Sequence, residues 1–107
     1  MNIKFIDPPK PIGNFANVRL SGKYAYISGQ GAFDASGNLI TGKVGKDLNL
    51  DEAYEAARRV GITILSVINN EIGFDKVHKV VKILGLVNCT KDFLFQPKVI
   101  NLSLIHI

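Results

Sequence analysis

Residues 49–73 read NLDEAYEAARRVGITILSVINNEIG, and this stretch decides the class of fold. Asn49, followed three residues on by Glu52, has the form of a capping box, and Asp51 adds negative charge at the positive end of the helix dipole. Ala53, Ala57, Val60, Ile64 and Val67 recur at three- and four-residue steps, so one apolar stripe runs along a helix; Ala56, Gly61 and Ile68 widen it. The small residues Ala53, Ala56, Ala57 and Gly61 would let that helix approach a sheet closely. Gly73 predicts its end.

Upstream the period changes from helical to alternating. Ala16–Leu20 and Lys23–Gly29 are β-prone runs flanking Ser21-Gly22, the spacing of a tight hairpin. In the second run Tyr24, Tyr26 and Ser28 alternate with Ala25, Ile27 and Gly29, which separates two faces. Pro8, Pro9 and Pro11 precede the hairpin as an extended, donor-poor entry. Residues 30–48 are rich in Gly, Asp and Asn and predict a long loop, with room for a short strand at Leu39–Thr41. Downstream of the helix, a short helical turn at Phe74–Val77 leads into Val77–Cys89, whose Val, Ile and Leu content predicts a central strand buried on much of both faces. Asp92–Pro97 is expected to be a loop. Pro97 suits a first helical turn, but the chain is expected to end before a second helix develops. A hairpin, a long helix and a later strand make an α+β domain.

Composition narrows the function classes. The 107 residues contain 47% hydrophobic and 21% charged side chains, a globular composition that excludes a disordered tail. Thirteen Lys and Arg against nine Asp and Glu leave a net charge of +4, but the lysines are scattered among acids. A nucleic-acid surface would be denser and interleaved with aromatics, so RNA is a poor candidate partner. Cys89 is the single cysteine, which precludes an internal disulfide and fits a reducing cytoplasm. Residues 1–10 do not make a signal peptide, and no apolar run is long enough to cross a bilayer.

Few residues carry chemistry. His78 and His106 have no ligand-spaced Cys or carboxylate, so no metal is expected. Cys89 has nothing beside it in sequence to lower its pKa and reads as a structural thiol. Gly37-Asn38-Leu39-Ile40-Thr41-Gly42-Lys43 has phosphate-loop spacing, but Val44 stands where Ser or Thr should hold magnesium, and no buried strand leads in. Ser28-Gly29-Gln30 is different. A glycine at a strand end lets a ligand approach the backbone, whose freed N–H groups can bind a carboxylate or an oxyanion.

Pro11-Ile12-Gly13-Asn14-Phe15, Tyr26-Ile27-Ser28-Gly29-Gln30, Glu52-Ala53, Val87-Asn88-Cys89, Asp92-Phe93 and Gln96-Pro97-Lys98-Val99-Ile100-Asn101 occur in an order and spacing that together resemble the RidA (YjgF/YER057c/UK114) family, in one of its less studied branches. The resemblance implies a chorismate-mutase-like mixed β-sheet with helices packed on one face, and a homotrimer with ligand sites in the clefts between subunits. It implies hydrolysis of reactive 2-imino or enamine acids to 2-keto acids and ammonia, without metal or organic cofactor. Phe15, Ser28, Gly29, Gln30, Asn88 and Asn101 are its ligand-binding positions here. Two other classes stay open: a non-catalytic trimer that binds small carboxylates or partner proteins, and an RNA-binding or endoribonuclease-type protein.

Two departures bear on catalysis. Many deaminating members carry tyrosine where Phe15 stands, and the family's late arginine and acidic residue have no counterpart in this chain. The final residues, Leu102-Ser103-Leu104-Ile105-His106-Ile107, leave the family pattern after Asn101 and can be read as a translated sequencing-adapter end. On that reading residues 1–101 are the N-terminal two-thirds of one domain, truncated before its final strands, and 102–107 are foreign to it. The chain alone is then expected to be inactive and poorly soluble.

Overall fold

The computed structural model describes residues 6, 7, 10 and 16–105, with side chains through Ile100. Pro8, Pro9, Pro11, Phe15 and His106 lie outside the described residues.

Strands β1 (Val18–Ser21) and β2 (Tyr24–Ile27) form an antiparallel hairpin in the register Val18↔Ile27, Arg19↔Tyr26, Leu20↔Ala25 and Ser21↔Tyr24. Gly22 takes a φ of +59° at the turn, a conformation glycine adopts at no steric cost. The register places Val18, Leu20, Ala25 and Ile27 on one face and Arg19, Ser21, Tyr24 and Tyr26 on the other. Residues 30–48 follow as the expected loop. A small reversal at 34–38 is held by the Asp34 carboxylate, which accepts from the Ser36 and Asn38 N–H groups, each at 2.9 Å. In place of a strand at Leu39–Thr41 there is an isolated bridge, Phe33↔Leu39.

Helix α1 (Leu50–Glu71) starts where its cap predicts: Asn49 Oδ1 accepts from Glu52 N–H at 2.8 Å and Glu52 Oε1 accepts from Asn49 N–H at 3.1 Å. It ends at Gly73, whose φ of +96° and N–H bond to Ile68 O (3.0 Å) close the last turn. The buried face differs from the predicted stripe. Ala53, Ala57, Gly61 and Val67 are buried as expected, but Val60 and Ile64 are only half-buried, whereas Thr63, Leu65 and Ser66 are buried. At 100° per residue, the buried positions of the second half point in most directions, so that half is covered on several sides. The two hydroxyls tolerate burial because they bond inside the helix, Thr63 Oγ1 donating to Arg59 O (2.9 Å) and Ser66 Oγ to Ile62 O (2.7 Å). Ser66 Oγ also accepts from Ile6 N–H at 3.0 Å, which ties the N-terminal end of the chain to the helix.

A single 3₁₀ turn at Phe74–Lys76 precedes the largest departure from expectation. Residues 77–88 run without regular secondary structure and form no central strand. Val81, Leu84 and Leu86 are 73%, 78% and 87% exposed. A strand exists through hydrogen bonds to a neighbouring strand, and among the described residues none lies alongside 78–87. Only the end of the segment is anchored: Val44 N–H donates to Asn88 O (2.9 Å), Thr90 N–H donates to Val44 O (3.0 Å), and Val44 bridges Cys89 in parallel. Gly85 lies against Ile100, whose Cδ1 would sit 2.5 Å from a Cβ at that position.

Helix α2 (Gln96–Ile105) is a second correction, because it develops over ten residues and runs unbroken through Asn101. Phe95 O accepts from the N–H groups of Lys98 (3.1 Å) and Val99 (3.3 Å), so Pro97 in the first turn costs no bond. Val44, Ala53, Ala57 and Val99 form the core, and Leu48, Leu50, Tyr54, Val87, Cys89 and Phe93 pack around it. The small residues of α1 therefore let α2 and the 44–48 turn approach closely, while β1 touches α1 only lightly. The described residues are α+β, with a two-stranded antiparallel sheet and two α-helices. Among them no helix is long and apolar enough to cross a membrane.

Candidate functional site

The end of β2 gathers three polar side chains. Ser28 N–H extends the ladder by donating to Asn17 O (2.9 Å), and Ser28 Oγ donates to Ala16 O. Gln30 then folds back, its Nε2 donating to Ser28 O at 3.2 Å and to Asn17 Oδ1 at 3.4 Å. The chain leaves the sheet between them at Gly29, which is exposed and has open space where a Cβ would stand. Among the described residues the N–H groups of Gly29, Gln30 and Gly31 donate to no other group. The backbone at Gly29 is thus accessible, with an N–H donor that a polar ligand could meet.

Ser28, Gly29 and Gln30 thus come together as one unit. Asn88 does not join them. It is exposed, its carbonyl is committed to Val44, and no hydrogen bond among the described residues links it to the 28–30 unit. The backbone of Asn101 lies in α2 and its side chain lies outside the described residues, as does the whole of Phe15. Cys89 is half-buried beneath the start of α2, where its Sγ accepts from Gln96 Nε2 at 3.4 Å, a structural setting for the thiol. Residues 37–43 do not cradle phosphate: Lys43 N–H is taken by Asp47 Oδ2 (3.0 Å) in a local turn.

Arg59 lies in α1 and does not match the family's arginine position, so the sequence pattern gives it no role. Its Nη1 donates to Phe33 O at 3.3 Å, reaching from α1 to the loop that follows Gln30, while its Nε meets Glu55 Oε1 at 3.3 Å. The sequence holds a trace of half of this, the i, i+4 spacing of Glu55 and Arg59, but nothing of the contact to residue 33.

No family model matches the chain. It is 30% identical over 102 residues to Protein TCP17 of Trypanosoma cruzi, a match that covers 94% of this chain and 64% of that protein. Among solved structures, the protein Atu1372 of Agrobacterium tumefaciens, of unknown function, matches with a TM-score of 0.79 and 31% sequence identity, covering 85% of this chain and 59% of that one. The chain therefore spans less than two thirds of the length of either relative.

Proposed function

We propose that the whole protein is a hydrolase of the RidA family that converts 2-imino acids or their enamine tautomers to 2-keto acids and ammonia. The observation that carries this reading is the open Gly29 backbone with unclaimed N–H groups at the end of β2, held in shape by Ser28, Gln30 and Asn17. Those donors suit the carboxylate that every such substrate carries, and fixing it orients the C=N carbon toward a water. The water oxygen bonds to that carbon, giving a tetrahedral carbinolamine. The C–N bond then breaks as the hydroxyl proton is lost, nitrogen leaves as ammonia carrying both protons of the water, and the carbonyl forms. No electrons enter or leave, so the reaction calls for no redox partner.

The same reading includes a chorismate-mutase-like sheet with helices on one face, assembly as a trimer, and residence in a reducing cytoplasm. The order of hairpin, long helix and second helix supports the first of these. An amino-acid oxidase that generates the imine in situ provides the test: the full-length protein should accelerate keto-acid release beyond the rate in buffer. Binding of small carboxylates without acceleration would replace the hydrolase by a carboxylate-binding protein.

A further inference from the structure

We infer that residues 76–91 are a docking surface for an acidic, extended segment of a partner protein, which adds to the molecule as a strand along 78–87. The charge of the chain is concentrated there. Lys76, Lys79, Lys82 and Lys91 fall within this segment and no Asp or Glu does, while the other nine Lys and Arg equal the nine Asp and Glu elsewhere. The net charge of +4 is therefore the charge of this segment. Among the described residues none of its lysines meets a carboxylate. Val80, Val81, Leu84 and Leu86 are exposed beside them. The backbone is open as well, since no N–H or carbonyl between 78 and 87 takes part in a hydrogen bond among the described residues.

The segment is held at both ends. Val77 N–H donates to Phe74 O at 3.3 Å, and the Asn88 carbonyl and Thr90 N–H bond to Val44. Val87 and Cys89 pack around the core and Gly85 lies against Ile100, whereas Leu84 and Leu86 are 78% and 87% exposed. That in-and-out order is the alternation of an extended chain, with its backbone groups free for an added strand. The incoming strand covers Leu84 and Leu86 with its apolar side chains and sets its carboxylates against Lys79 and Lys82. Other occupants match the segment less well. A second copy would set the same lysines against their counterparts, and like charges across a strand pair repel. A lipid surface leaves the backbone groups without partners. A nucleic acid finds no stacking platform, because 76–91 contains no Phe, Tyr or Trp.

The test is titration of the full ¹⁵N-labelled chain with a peptide of alternating Glu and Val, with its Lys–Val counterpart, and with the Glu–Val peptide carrying a central proline. The Glu–Val peptide should move the amide signals of 78–87 and slow their hydrogen exchange, and its affinity should fall as salt is raised. The Lys–Val and proline peptides should bind about tenfold more weakly or worse, the first for want of charge match and the second for want of a backbone donor. K79E/K82E should weaken binding of the Glu–Val peptide by roughly tenfold or more, whereas K46E, in the 44–48 turn, should leave it unchanged. The same spectra report the fold of each variant. A folded K79E/K82E that binds like the wild type overturns the inference, as do Glu–Val and Lys–Val peptides of equal affinity. Amides of 78–87 that are already protected in the free chain overturn it too. So does a wild type whose 78–87 signals respond to protein concentration or to phosphatidylserine vesicles but not to the Glu–Val peptide.

Discussion

Helix α1 and the segment 77–88 are both rich in aliphatic residues, and the two behave in opposite ways. α1 satisfies its backbone through bonds between residues four apart, caps itself with Asn49 and Glu52, and buries Leu65 and Val67. The 77–88 segment has equal claim to burial by composition, yet Val81, Leu84 and Leu86 stand in solvent, with no strand beside them among the described residues. The contrast is between local and non-local bonding. A helix carries its partners within its own sequence, whereas a strand borrows them from elsewhere.

The comparison can be broken at several points. The largest expected difference is in hydrogen exchange: amides between Thr63 and Ile68 should be protected on the order of a thousandfold or more relative to those of 78–86. Equal protection would show that 77–88 has found a partner in solution. Next, Leu65→Ala in the covered half of α1 should cost about 2–5 kcal/mol in chemical denaturation, the range for truncating a buried leucine. A loss below ~1 kcal/mol would mean that this side of the helix is open. Asn49→Ala removes the cap acceptor of Glu52 N–H and should cost about 1 kcal/mol. Smallest of all, Leu84→Lys should change stability by no more than about 0.5 kcal/mol, as at other exposed positions without special contacts. A loss of several kcal/mol would place Leu84 in a core.

Much of the fold was legible because it depends on near neighbours. The hairpin follows from Ser21-Gly22 between two β-prone runs, the limits of α1 from Asn49, Glu52 and Gly73, and the 3₁₀ turn from the residues after Gly73. Pro97 marked a helix start correctly, although the helix extends further than its short sequence suggested. The misjudged features depend on distant groups. Thr63 and Ser66 look polar in a pattern of apolar steps, but each hydroxyl bonds to a carbonyl four residues back, which makes burial inexpensive. The site divides in the same way. Ser28-Gly29-Gln30 could be singled out by a glycine at a strand end, while Asn88 and Arg59 could be placed only by knowing what lies next to them.

What the sequence determined by itself is therefore the set of elements whose bonds close within a few residues: the hairpin turn, the cap and stop of α1, and the open glycine after β2. Only the tertiary structure decided which face of α1 is covered, that Val44 anchors Cys89 while 78–87 pairs with no strand among the described residues, and that Arg59 reaches the carbonyl of Phe33 across 26 residues. The reason is range. Local bonds are specified by spacing, whereas burial and long-range pairing depend on which surfaces the folded chain brings into contact.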